Sequence, residues 1–147
     1  MNATSSPPSP SLLATPGLST SKKALWAGRF LSGFAVLFLL FDTILKLLQL
    51  PPAVQGTTQL GFPESTVFGL GVIELVCLGA YLVPRTALLG AVLWTGYLGG
   101  AIATHVRLGN PLFSHVLFPV YVAAMLWGGL WLRDARLRGL LPLRVMP

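Results

Sequence analysis

Cysteine is nearly absent from this 147-residue chain, where Cys77 stands alone. No disulfide can form within the chain, no Cys-x-x-Cys pair exists, and a cysteine-based iron–sulfur or zinc site lacks ligands without a partner. Acidic residues are almost as scarce: Asp42, Glu64, Glu74 and Asp134 are all there are. Charged residues of both signs make up 10% of the chain, against about 25% in ordinary soluble domains. Also missing are a glycine-rich phosphate loop, a nucleotide-binding strand–helix unit and any hydrolase motif. What fills the chain is apolar, with 54% hydrophobic residues and a mean hydropathy of +0.74. A chain this apolar cannot hide its side chains inside one water-facing globule of this size. The lipid bilayer is therefore its expected solvent and first partner.

The positive charges support that reading. Ten Lys and Arg give a net charge of +6, but they sit at the ends of apolar runs rather than on one contiguous basic face, so nucleic acid is not an expected partner. Residues 1–23 are rich in Ser, Pro and Thr and read as a disordered tail. Residues 24–147 read as a single membrane domain. Its expected fold is all-α: a four-transmembrane-helix antiparallel, up-down bundle with helices at about 24–50, 64–83, 86–107 and 112–133. Pro51-Pro52 is expected to end the first helix. Gly61-Phe62-Pro63-Glu64 is expected to start the second, Val83-Pro84-Arg85-Thr86 to turn into the third, and Gly109-Asn110-Pro111 to separate the third from the fourth.

Lys22, Lys23, Arg29, Arg85, Arg133, Arg136, Arg138 and Arg144 fall on one side of such a bundle, and Arg107 and Lys46 on the other. The positive-inside rule then places the protein in the cell inner (cytoplasmic) membrane as a multi-pass protein with both termini cytoplasmic. In the third helix Gly96, Gly100 and Thr104 form a small-residue stripe at i, i+4 and i+8. It is expected to serve close packing within the chain, with a homo-dimer seam as the alternative.

This topology makes the intramembrane polar residues informative. Asp42 lies about 12 Å below the outer end of the first helix, and Glu74 about 15 Å below Glu64, so the two acids share a depth. Lys46 follows Asp42 at i+4, the favourable order for a pair, with Gln49 continuing the face. His105 ends the third helix on that side and His115 begins the fourth. Five ionisable groups thus converge on the outer half. A charge at the bilayer centre costs about 2.5–3.5 kcal/mol on insertion scales, so such residues are expected to face a partner or a cavity. Trp94 and Tyr97 share the His105 face of the third helix and would line a ring pocket. Pro119 frees the carbonyl of His115, four residues back. No metal ligand set is expected.

Three stretches carry a family resemblance: Pro84-Arg-Thr-Ala-Leu-Leu-Gly-Ala, Thr95-Gly-Tyr-Leu-Gly-Gly-Ala-Ile-Ala-Thr-His-Val-Arg107, and Phe113-Ser-His-Val-Leu-Phe-Pro119. With Phe41-Asp-Thr-Ile-Leu-Lys46 and Glu74, the chain from about Ala24 to Arg144 resembles the DoxX-like family of small bacterial integral membrane proteins. That resemblance implies a four-helix membrane bundle. The family takes its name from a subunit of a quinone-linked thiosulfate oxidoreductase, so it also implies a quinone as ligand and a redox partner subunit.

Three readings follow. The first is a membrane subunit with no intrinsic cofactor that binds a quinone or similar lipid-soluble ligand near Asp42, Lys46, Glu74 and His105, with Lys46 or a histidine donating to a carbonyl and Glu74 exchanging a proton. The second is a small proton-coupled transporter, which would need a dimer. The third is a structural or assembly protein whose polar residues only fix helix register.

Overall fold

The computed structural model describes residues 21–140, apart from the side chains of residues 136, 139 and 140. The expected tail therefore lies outside the described residues up to position 20, as does Arg144. The described chain is helical, with no strand. Its elements are α1 (Lys22–Leu47), α2 (Pro51–Gln59), α3 (Thr66–Leu82), α4 (Ala87–Arg107), a π-helical turn (Leu112–Val116), α5 (Phe118–Arg133) and α6 (Ala135–Leu140). Among the described residues three segments are long and apolar enough to cross a membrane: Lys22–Leu47, Ala87–Arg107 and Leu112–Arg133. The 17-residue α3 is apolar but shorter.

The burial pattern is that of a protein in lipid. On α1 the buried positions are Gly28, Ser32, Ala35, Leu39 and Thr43, a single stripe at helical spacing that includes two hydroxyls. The opposite face exposes Phe30, Phe34, Leu37, Phe41 and Ile44. Large apolar side chains face outward while small and polar ones face inward, as hydrocarbon solvent favours. Helix α1 packs against α3 and α5, and α4 packs against α3 and α5. Ala35, Leu39, Leu78, Trp94, Leu98, Val122 and Leu126 form the middle of the buried cluster.

Two close approaches fix the helices. Near the start of α1, a methyl group at Gly28 would stand 2.9 Å from both the Gly129 carbonyl oxygen and Leu132 Cβ, so α1 and α5 touch backbone to backbone. Near its end, a methyl group at Gly71 of α3 would stand 3.0 Å from Leu47 N and Lys46 Cβ.

The sequence expectations need correction at three points. Helix α1 ends at Leu47 rather than residue 50, and the exposed Gln49 sits beyond it with a left-handed φ of 50°, so it does not continue the Asp42–Lys46 face. Pro51-Pro52 does not simply stop a helix. It opens α2 at the first positions, where a missing N–H costs nothing because no intrahelical acceptor precedes it. The segment expected at 112–133 begins as a π turn in which Leu117 N donates to Leu112 O at 2.8 Å. Pro119 has no N–H for the carbonyl of His115, and the wider turn accommodates the break.

Candidate functional site

Three helices bring their polar residues to one point. Lys46, on the last turn of α1, donates to Asp42 Oδ2 one turn below it at 2.6 Å, to Glu74 Oε1 of α3, and to the Tyr97 hydroxyl of α4 at 3.3 Å. The Gly71 contact makes this geometry available, because it lets α3 approach the Lys46–Leu47 backbone one turn before Glu74. Thr43 Oγ1 stands 2.7 Å from the Leu39 carbonyl and 3.2 Å from Glu74 Oε2. All three Lys46 donors are thus engaged within the protein. The two acids differ in access: the Glu74 side chain is 1% exposed and that of Asp42 37%.

The network forms part of the wall of a cavity of about 510 Å³. Facing it are Phe38, Phe62 and Phe118 together with Trp94 and Tyr97, the last two packed edge to face at 5.6 Å between ring centroids. Trp94 is fully buried, and its indole N–H has no hydrogen-bond partner among the described residues. A second cavity of about 430 Å³ adjoins the first and shares Asp42, Lys46, Thr57, Leu60 and His105 with it. Its remaining lining is more polar and includes Gly56 and Gln59 of α2, Asn110 and His115. The His105 and His115 rings meet edge to face at 5.7 Å. Asn110 Nδ2 and His105 Nδ1 are 2.9 Å apart, and Ser114 Oγ and His115 Nδ1 are 2.8 Å apart. Arg107 donates to the Leu60 carbonyl at 3.0 Å, tying the end of α2 to α4.

A family model described as the DoxX-like family matches residues 30–129, more than half of the chain. The chain belongs to the DoxX-like family. The match runs from Phe30 of α1 to Gly129 of α5 and takes in all of the residues just described. No curated protein and no solved structure matches the chain. Family membership and the apolar helices make this a multi-pass membrane protein.

In this DoxX-like chain the seven residues singled out from sequence divide into two groups. Asp42, Lys46, Glu74 and Tyr97 come together directly, with Trp94 against Tyr97. His105 and His115 pair with one another, and His105 lines both cavities while His115 lines only the more polar one.

The small-residue stripe behaves differently from expectation. A methyl group at Gly96 or Gly100 would meet nothing within 4 Å among the described residues, and both positions are exposed. The stripe therefore brings no two helices of the chain together.

Sequence reasoning passed over Thr43, which reads as an ordinary helix residue, and the whole of α2. It also passed over a second polar link at the other end of α1, where the Tyr81 hydroxyl donates to Leu126 O at 2.8 Å and lies 3.0 Å from Ser32 Oγ. The signal for that link was a serine and a tyrosine on otherwise apolar helix faces.

Proposed function

We propose that this DoxX-like protein spans the inner membrane four times, with α3 as the fourth span and neighbouring helices antiparallel, and that its larger cavity binds a lipid-soluble ligand of the quinone class. Three pairings support the topology. Ser32 meets Tyr81, Lys46 meets Glu74, and Gly28 meets Gly129, so early residues of α1 contact late residues of α3 and α5. With Lys22, Lys23, Arg29, Arg85 and Arg133 at one end of that arrangement, the positive-inside rule favours a cytoplasmic location for the segments before α1 and after α5.

The ligand reading rests on one observation: an aromatic-walled cavity of about 510 Å³ carries a single connected polar network on one side. Small-ligand sites are commonly cavities of about 300–1,000 Å³ with apolar walls and a few convergent polar groups. Lys46 already spends its three donors, so the group that meets a ligand carbonyl is the Tyr97 hydroxyl or His105, with Lys46 holding Tyr97 in place. Glu74 and Asp42 lie within one hydrogen bond of Lys46 and handle the proton. Electron transfer would fall to a partner subunit, because Cys77 is the chain's one cysteine.

The test is organic extraction of protein purified in native-lipid discs, counting quinone per chain against an unrelated four-helix membrane protein. Near-stoichiometric enrichment, lost in Asp42→Asn and Glu74→Gln, is the expected result. Quinone at the level of the control would remove this reading and favour a register-fixing role for the polar network.

A further inference from the structure

We infer that the larger cavity is a binding site for a monovalent lipophilic organic cation, which it accepts in exchange for a proton held by the Asp42–Glu74 pair. The inference shares with the preceding proposal the reading of this cavity as a ligand site, and it does not depend on quinone.

Charge balance is the starting point. Lys46 is one ammonium between two carboxylates. With both acids ionised the set carries one net negative charge. With the imidazoles of His105 and His115 neutral, the other titratable groups around it do not cancel that charge. From α3 the remaining neighbour is the Cys77 thiol, one turn from Glu74; from α4 there are Tyr97 and His105; from the π turn there is His115. Helices α2 and α5 contribute no ionisable side chain to either lining. Arg107 is directed to the Leu60 carbonyl. An uncompensated charge within a membrane is costly, so the cluster has two neutral states: one proton on the acids, or one bound cation beside them.

Geometry favours both states. For the proton, Thr43 has one hydroxyl hydrogen but two oxygens in range, Leu39 O and Glu74 Oε2. A proton on Glu74 Oε2 makes both contacts hydrogen bonds. For the cation, the accessible acid is Asp42, whose side chain reaches both cavities. Five aromatic rings complete the wall, the surface that a delocalised positive charge prefers.

A metal cation fits less well, since no group of three or more His, Cys, Asp or Glu residues gathers among the described residues. In the exchange, the O–H bond of the acid breaks and its proton passes to water, on the side of the polar cavity where His105, His115 and Asn110 stand. The cation arrives without forming a covalent bond, so charge is conserved.

The experiment measures tetraphenylphosphonium binding to the full chain in lipid discs by equilibrium dialysis across pH 6 to 9, with quinone counted in the same preparation. The expected result is saturable binding near one per chain. Affinity should tighten about tenfold per pH unit wherever the proton occupies the site. About one proton should be released per cation bound in weakly buffered medium, a readout that needs no variant. Asp42→Asn should weaken binding at least tenfold, and Ala101→Leu, which extends into the cavity from the face of α4 that carries Trp94 and His105, should weaken it at least as much. No saturable binding, or binding with neither pH dependence nor proton release, overturns the inference. Quinone present without cation binding removes this inference alone. Cation binding without quinone removes the quinone reading alone.

Discussion

The two ends of α1 differ in their polar links and in the space beside them. At the end near Gly28 and Ser32, helices touch through their backbones: Gly28 against Gly129, and Gly90 against the backbone of Tyr81. The polar link from α1 there is a neutral one, with the Tyr81 hydroxyl between Ser32 Oγ and the Leu126 carbonyl, and the Arg133 guanidinium stands over the Tyr81 ring at 5.2 Å. At the end near Lys46 one backbone contact remains, Gly71 against Lys46 and Leu47, but two cavities adjoin and the polar link is an ammonium between two carboxylates. In lipid, where apolar burial gives helices little reason to associate, backbone contact and neutral hydrogen bonds are the economical means of holding them together. Buried charges and voids are not, and their concentration at one end marks that end as the one shaped for something other than stability.

The largest effect should come from breaking the charged link. Lys46→Met leaves Glu74 buried without its cation and should destabilise the protein by about 3–5 kcal/mol, measured by reversible unfolding in mixed micelles. Replacing Lys46, Asp42 and Glu74 together with apolar residues of similar size should recover most of that loss while abolishing ligand binding. A triple variant that recovers stability and keeps every cellular function would reduce the network to a register device.

A methyl group separates the two ends next. Gly129→Ala forces α1 and α5 apart, since its Cβ would collide with Ser32 and lie 2.9 Å from the Gly28 carbonyl. The expected cost is about 1–3 kcal/mol. Gly100→Ala places the same methyl in open space and should fall within about 0.5 kcal/mol of the parent. Equal costs at the two positions would erase the contrast. Tyr81→Phe should be milder than Gly129→Ala, at about 0.6–1.7 kcal/mol for a hydrogen bond between membrane helices. It should leave ligand content unchanged, because Tyr81 lines neither cavity.

This contrast explains how far the sequence could be read. Length and hydropathy located the three long apolar segments and α3, because the bilayer imposes both. The meeting of Asp42, Lys46 and Glu74 was legible too. The i, i+4 spacing places Lys46 over Asp42 on one helix face, and the cost of a lone charge in lipid requires a partner. Packing was less legible. Gly96-x-x-x-Gly100 and the pair Gly28 and Gly129 are the same residue type on apolar helices, yet only the second pair is a contact. Which glycines meet a neighbour depends on where the partner helix passes, and single-helix periodicity does not contain that information. Helix α2 was hidden because Pro51-Pro52 reads equally as the end of one helix and the first turn of the next.

A mild change to the fold should also be the most informative about the cavity. Ala101 stands between Trp94 and His105 on one face of α4, and all three line the larger cavity. Ala101→Leu therefore extends a side chain into that space at little cost in helix propensity. Its effect on stability should be smaller than that of Gly129→Ala, and whatever occupies the cavity should be lost. A purely structural protein would lose nothing else. Loss of ligand from an intact fold would mark the void at this end as a site, because a packing gap has nothing to lose when it is filled.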